Sequence, residues 1–195
     1  MLKIGVMPSS FRIPFKDAAL RARDMGAKGL QPYVTEGELA PENLTADDRR
    51  DLLRFVRDCG LTFSALCADF GMDFSDYGNN AADIKRTMSM MDLARDLDPH
   101  VITTHIGHVP DDPESTEYKN ICRSIEELGK YGDSIGVCFA TETGPESAVK
   151  LRGILERVDT KSAKVNLDPA NFVMLCGQDP VEAVHVLKDY IVHTH

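Results

Sequence analysis

Short β-rich runs alternate with helical segments along the whole chain, and this alternation most constrains the fold. Seven such runs begin at positions 2, 29, 62, 101, 136, 164 and 190. Their near-continuous apolar character is typical of strands that are buried on both faces of a sheet. The segments between them carry apolar residues at helical spacing, for example Ile84, Met88 and Met91. Strands that alternate with helices predict right-handed crossovers and a parallel sheet.

The number and spacing of these units predict an α/β fold, a (β/α)8 TIM barrel that stops after its seventh strand. No linker or shift in composition divides the 195 residues, so we expect a single barrel domain over residues 1–195. A closed barrel of this kind has eight strands and typically about 250 residues. We therefore expect the natural chain to continue past His195 with the missing C-terminal β/α unit, and an open, incomplete barrel is the alternative.

Composition and charge argue against several classes of protein. The formal net charge of −9 disfavours nucleic acid as a partner, because a polyanion is repelled by an acidic surface. The five cysteines are odd in number and form no CxxC pair, which favours a reducing compartment over a disulfide framework. No apolar run approaches the roughly 18 residues of a membrane span, and the N-terminus lacks a signal-peptide pattern. We therefore expect a cytoplasmic protein that acts on no membrane.

Three of the later runs end in residues that can bind a metal. Glu142 ends GVCFATE, Asp168 ends KVNLD and His195 ends YIVHTH. Each has an ordinary structural alternative, namely a helix cap, an Asp-Pro turn and a buried core histidine. Because the carboxyl ends of parallel strands meet at one edge of a sheet, we expect the three side chains to converge. Two carboxylates and one imidazole suit one divalent metal, Mn²⁺, Mg²⁺, Co²⁺ or Zn²⁺, with positions left for substrate oxygens.

Other polar residues near the strand ends are weaker candidates. His105, on the fourth run, can point into the barrel mouth, and Asn171 can face the same pocket or act as a turn residue. His193 is expected to be a hydrogen-bonded core histidine on the last strand. Cys67 has no base beside it in the sequence and is better explained as a packing residue. The motifs GxGxxG, GxxxxGK[ST], GxSxG and HExxH are absent from the sequence.

At these residues the chain resembles the xylose-isomerase-like TIM barrel superfamily, which contains the sugar phosphate isomerases/epimerases and the AP endonuclease family 2 domain. The resemblance runs along nearly the whole chain. Its specific part is TETGPE, NLDPANF and VHTH at the ends of the fifth, sixth and seventh strands. Members of this family bind one divalent metal with a Glu, an Asp, a His and a further Glu on strands five to eight. Glu142, Asp168 and His195 match the first three, and the fourth has no counterpart in this sequence.

The resemblance implies a metal-dependent sugar or sugar-phosphate isomerase or epimerase that transfers a proton next to a carbonyl. It implies that Glu142 is one of two proton-transferring glutamates and that His105 and Asn171 lie beside a small-molecule sugar or sugar phosphate. In the endonuclease branch a metal-binding histidine takes the place of Asn171. Alternatives are an inosose-type cyclic-polyol dehydratase on the same site, an apurinic-site endonuclease and a non-catalytic sugar-binding barrel. The exposed sheet edge and the rim helices are also compatible with a homodimer.

Overall fold

Eight short parallel strands form the centre of the computed structural model, which describes residues 3–195. They are β1 Gly5–Val6, β2 Gly29–Leu30, β3 Thr62–Phe63, β4 Leu66–Cys67, β5 Val101–Thr104, β6 Cys138–Glu142, β7 Ala163–Leu167 and β8 Ile191–Thr194. Position 2, where the first predicted run begins, lies outside the described residues. The alternation of strands and helices is that of a TIM-barrel-like α/β fold, as the sequence predicts.

Helices follow most of the strands and cover the sheet. They are α1 Phe15–Asp24, α2 Ala46–Asp58, α3 Ala81–Asp96, α4 Thr116–Ile135, α5 Ala148–Leu155, the single turn α6 Pro169–Asn171 and α7 Pro180–Leu187. Side-chain chemistry fixes several of their first turns. The Thr45 hydroxyl accepts the Asp48 N–H at 3.2 Å and the Asp48 carboxylate accepts the Thr45 N–H at 2.9 Å, a reciprocal capping box. In residues 3–195, no helix has both the length and the apolar character needed to cross a membrane.

The strands form two parallel groups, β1-β2-β3 and β4-β5-β6-β7-β8. The third predicted run forms both β3 and β4, because its first part pairs with β2 and its second part pairs with β5. A parallel bridge between Tyr33 and Cys67 ties β4 to the segment that follows β2. Seven predicted runs therefore account for eight strands, and the third run joins the two groups.

The hydrophobic core lies between the strands and the helices. On α3, Ile84 and Met91 are buried as the helical spacing predicts, while Met88 is half-buried and packs against the same core. Phe139 on β6 and Val165 on β7 are fully buried at the centre of the sheet. This packing holds β6 and β7 in a fixed register, and the position of the candidate site depends on that register.

Strand register places three polar side chains in one row across the sheet. Glu142 on β6 pairs with Asn166 on β7, which in turn pairs with His193 on β8. One extra residue in β8 shifts the pairing just before His193. One step further along the strands, the N–H of His195 donates to the carbonyl of Leu167 at 2.8 Å. The carboxyl ends of the three strands therefore lie together at one edge.

Candidate metal centre

The three predicted ligands converge at the carboxyl edge of β6, β7 and β8. One potential ligand atom each from Glu142, Asp168 and His195 lies within 4.8 Å of the other two. Glu142 is only 5% exposed, whereas Asp168 is half-buried and His195 is exposed. The Glu142 carboxylate is therefore the innermost group of the cluster, and the His195 imidazole lies on its solvent-exposed side.

Glu142 is held by a hydrogen bond at each carboxylate oxygen. Its Oε1 lies 2.7 Å from Nδ1 of His195, and its Oε2 accepts the Asn166 amide at 3.0 Å. Asn166 is fully buried, and its Oδ1 lies 2.8 Å from Nδ1 of His193. Since an amide oxygen can only accept, Nδ1 of His193 is the donor. Burial, followed by the nearby His195, lowers the pKa of His193. His193 is hydrogen-bonded, as expected of a core histidine, but it is half-buried.

Asp168 is both a turn residue and a ligand candidate. Pro169 ends the strand, and Oδ1 of Asp168 caps the following turn by accepting the N–H groups of Ala170 at 2.8 Å and Asn171 at 3.2 Å. The Asp168 N–H also donates to the Thr143 hydroxyl at 2.8 Å. The capping carboxylate also lies within 4.8 Å of the other two ligand atoms, so the two interpretations of Asp168 are compatible.

Asn171 connects the segments that follow β6 and β7. Its Nδ2 donates to the carbonyl of Thr143 at 2.7 Å, and its side chain is half-buried. One of the two amide N–H groups is therefore used within the protein, which leaves the second N–H and the oxygen Oδ1 for a substrate. A substrate-binding role for Asn171 stays a prediction.

His105, at the end of β5, pairs with Asp69 after β4. Nδ1 of His105 lies 2.7 Å from Oδ2 of Asp69, and this bond is the main cause that lowers the pKa of Asp69. The ionised carboxylate can only accept, so Nδ1 carries the proton and Nε2 is free for a ligand. The same bond raises the pKa of His105, and the charge of Glu142 contributes. His105 thus lies within electrostatic reach of the ligand cluster.

A second buried carboxylate lies close to His105. Glu146 is 4% exposed, and its Oε1 accepts the N–H of Gly144 at 3.1 Å. Burial raises the pKa of Glu146 to about 6. A Cβ at Gly144 would lie 3.1 Å from Oε2 of Glu146 and 3.8 Å from the His105 ring, so glycine allows the two side chains to approach. Cys67 is buried and burial raises its pKa to about 11, as suits a packing residue.

Three residues of this neighbourhood are not among those predicted from the sequence: Asn166, Asp69 and Glu146. Asn166 is the one uncharged polar residue in the apolar run AKVNL, Asp69 is a carboxylate directly after the third run, and Glu146 is the second glutamate of TETGPE. Those local signals exist, but each is equally typical of a turn or a cap. The hydrogen-bond partners of Asn166 and Asp69 are far away in the sequence, and so is His105, which lies near Glu146. Only the packed strands reveal these contacts.

A cavity of about 510 Å³ adjoins the cluster through Asp69 and His105. Glu142, Asp168 and His195 do not line it. We place the centre of the site at the three converging side chains, because the chemistry of a donor set identifies a metal site better than an empty volume does. The cavity is the space next to that centre.

A TIM-barrel-like sheet with two carboxylates and an imidazole at its carboxyl edge defines a class of barrel proteins whose functional residues lie at the strand ends. Residues 19–195 match the family model described as Xylose isomerase-like TIM barrel. The match covers most of the chain, and the chain belongs to that family.

Solved structures with a similar fold include three with different printed names. A Xylose isomerase domain protein from Planctomyces limnophilus is 20% identical, with a TM-score of 0.83 over 99% of this chain and 72% of that chain. D-psicose 3-epimerase from Clostridium cellulolyticum H10, solved with D-tagatose, is 16% identical, with a TM-score of 0.81 over 100% of this chain and 72% of that one. A probable 3-DHS dehydratase from Bacillus anthracis is 21% identical, with a TM-score of 0.80 and the same coverage, 100% and 72%. At these identities the likeness shows the fold. A comparison with curated protein sequences found no significant match.

Proposed function

We propose that the protein is a divalent-metal-dependent isomerase or epimerase of a sugar or sugar phosphate, acting by proton transfer next to a carbonyl. The observation that supports this most strongly is the convergence of Glu142, Asp168 and His195 within 4.8 Å of one another at the carboxyl edge of the sheet. Family membership and the printed activities of the similar folds, which include a sugar epimerase, agree with this class of reaction.

The donor set fits a hard or borderline divalent ion. Two carboxylates and one imidazole suit Mn²⁺, Mg²⁺, Co²⁺ or Zn²⁺, and no thiol of residues 3–195 belongs to the cluster. When bound, such an ion polarises a carbonyl and an adjacent hydroxyl and so lowers the barrier to proton removal between them. Glu142, Asp168 and His195 would hold it.

The residues of the chain supply the proton transfer and the orientation. The Glu142 carboxylate, fixed by Asn166, is placed to take a proton from the carbon next to the substrate carbonyl and to return one. His105, whose Nδ1 is held by Asp69, presents Nε2 to a substrate hydroxyl. Asn171 offers its amide oxygen from the neighbouring turn.

A test of metal binding compares three variants of the full-length protein. Elemental analysis should find about one equivalent of metal in the wild type and in Asp58→Asn, an exposed carboxylate change on α2. Glu142→Gln and Asp168→Asn should each lose most of it, because each removes one charged ligand. Stoichiometric metal in both of these variants would remove the proposed centre.

A test of the reaction follows the substrate proton. The metal-loaded protein is incubated in D₂O with a panel of ketoses and their phosphate esters, and deuterium next to the carbonyl is measured by NMR. Isomerisation or epimerisation gives a labelled isomer, whereas a dehydratase at the same site gives loss of water after the same proton removal. Lack of exchange with any substrate, in a protein that holds its metal, would contradict proton-transfer chemistry.

A further inference from the structure

The cavity next to the candidate metal centre has the size and position of a substrate subsite. Its volume of about 510 Å³ lies within the range of small-molecule pockets. The segments that follow β4 and β5 form its walls, and the first turn of α4 adds Glu117. Because both segments follow carboxyl strand ends, the cavity opens at the same sheet edge as Glu142.

The wall after β4 is fixed to the neighbouring helices by buried polar contacts. Asn80, which is 3% exposed, donates to the carbonyl of Asp73 at 3.1 Å and to the hydroxyl of Ser124 at 3.0 Å. Asn120 donates to the carbonyl of Ser75 at 2.8 Å. A wall held at several points keeps its shape without a ligand, so the charges that line it have defined positions.

The charged groups that line the cavity are acidic or imidazole. Carboxylates come from Asp69, Asp73 and Glu117, and imidazoles come from His105 and His108. Within residues 3–195, neither a lysine nor an arginine lines it. The cavity therefore offers carboxylate acceptors to hydroxyl groups, and imidazole is the one kind of side chain among the described lining residues that can carry positive charge toward a phosphate.

Two of these carboxylates stay ionised near neutral pH. The imidazole of His105 lowers the pKa of Asp69, and the side chain and backbone of Ser75 lower the pKa of Asp73. Buried Glu146 is close enough to His105 to affect its pKa and adds a further carboxyl group near the cavity. A dianion in this cavity would meet like charges on more than one side.

Two basic side chains on neighbouring segments already have partners within the protein. Lys150 forms an ion pair with Asp111, and Arg86 stacks 4.5 Å over the Phe70 ring while it donates to the carbonyl of Thr35. To bind a phosphate in the cavity, either cation would have to give up these contacts.

We propose that this cavity receives the end of the substrate remote from the reacting carbonyl and selects an uncharged polyhydroxyl chain over a phosphorylated one. The inference rests on the proposed function, and it narrows the substrate from sugars and sugar phosphates to free sugars. The hydroxyl groups of such a chain donate to the cavity carboxylates, and Nε2 of His105 binds one of them.

The test measures binding by calorimetry of the metal-loaded protein with D-fructose, D-tagatose and their 6-phosphates. We expect each free ketose to bind at least about tenfold more tightly than its phosphate, because like charges within a Debye length repel the dianion. The double variant Asp73→Asn/Glu117→Gln removes two negative charges from the cavity. It should lower the ratio of ketose affinity to phosphate affinity at least about threefold. The control Asp58→Asn/Glu182→Gln makes the same change in net charge on exposed helix positions and should leave this affinity ratio unchanged.

The possible outcomes separate this inference from the function it rests on. Phosphates that bind as tightly as the free ketoses overturn the inference and leave the proposed function standing. If the affinity ratio between free ketose and phosphate falls equally in the control variant, net charge explains the selection, and the inference is also overturned. If metal is bound but no sugar of either kind binds, the cavity is not the subsite. If no metal is bound, the proposed function itself fails.

Discussion

Asn166 shows how one buried side chain can set the geometry of a site. Its amide nitrogen donates to Glu142 and its amide oxygen accepts from His193, so both ends of the amide are satisfied inside the protein. Because the residue is fully buried, water cannot replace either bond. The orientation of the Glu142 carboxylate therefore depends on a residue that is not itself a ligand candidate.

Removal of this amide should weaken metal binding without removing a ligand. We expect Asn166→Ala to lose about 10–100-fold in metal affinity, the usual effect of removing a partner that orients a ligand. Competition with a chelating dye measures the affinity. Asn43→Ala, which removes a surface amide that donates to the carbonyl of Gly37, is the control and should bind metal normally. Wild-type affinity in a folded Asn166→Ala protein would refute the orienting role.

Glu146 gives a prediction about pH. Burial raises the pKa of Glu146 to about 6 in the folded protein, above the ordinary glutamate value of 4.5. The folded state therefore holds this proton more tightly, and the stability it contributes is complete below about pH 4.5 and is lost as the pH rises through about 6. The loss amounts to about 2 kcal/mol.

Glu146→Gln keeps the acceptor for the Gly144 N–H and removes the titration. Between about pH 4.5 and pH 7.5, we expect the free energy of unfolding of the variant to increase by about 1.5–2 kcal/mol relative to that of the wild type. Denaturant unfolding at the two pH values measures the difference, and Glu182→Gln on the exposed face of α7 should show no such change. A constant difference between variant and wild type would mean that Glu146 does not titrate in this range.

At the scale of elements, α4 packs most closely against the sheet where it carries glycine. A Cβ at Gly132 would lie 2.9 Å from Cβ of Ser162 and 3.0 Å from Cε of Met91, and it would overlap the carbonyl oxygen of Val137. A backbone carbonyl cannot move as cheaply as a flexible side chain. The helix can approach β6 and β7 this closely only with hydrogen at that position.

Gly132→Ala should therefore destabilise the protein by about 1–3 kcal/mol, because the overlap outweighs the gain in helix propensity. Gly153→Ala on α5 is the matched control, since its Cβ would approach only the Tyr118 hydroxyl at 3.3 Å. For Gly153→Ala we expect the free energy of unfolding to stay unchanged or to rise by up to about 1 kcal/mol. Thermal unfolding monitored by circular dichroism compares the two, and equal stability of both variants would contradict the close packing.

At the scale of the whole molecule, the site exists only when three strands have assembled. Glu142, Asp168 and His195 come from the ends of β6, β7 and β8, separated in sequence by two β/α units. An unfolded chain does not hold their side chains together. A bound metal must therefore stabilise the folded state.

Metal addition should raise the melting temperature, and the stabilisation should grow with the logarithm of the free metal concentration above Kd. At a free metal concentration of about 100 times Kd, the expected gain is about 2.7 kcal/mol. Differential scanning calorimetry with Mn²⁺, Mg²⁺, Co²⁺ and Zn²⁺ in turn also ranks the ions. Asp58→Asn should respond as the wild type does, and Asp168→Asn should respond weakly. An equal shift in Asp168→Asn would locate the binding elsewhere.

Much of the fold could be predicted because its signals are local. Apolar runs of strand length, helical stripes such as the one through Ile84 and Met91, and the proline after Asp168 each act within a few residues. Parallel strands then bring their carboxyl ends to one edge by geometry alone, which explains why three ligand candidates could be named from their positions at the ends of runs. The division of the third run into β3 and β4 was not predictable, because it depends on which neighbours each half pairs with.

The sequence by itself determined the alternation of strands and helices and the chemical type of the three candidate ligands. The tertiary structure decided which partners these residues have: Asn166 bonded to Glu142, Asp69 bonded to His105, and buried Glu146 near His105. It also decided that the adjoining cavity is lined by acids. The physical reason is that periodicity and turn chemistry act between neighbours in the chain, whereas burial, hydrogen-bond pairing and local charge depend on contacts between residues far apart in sequence, which exist only after the strands have packed.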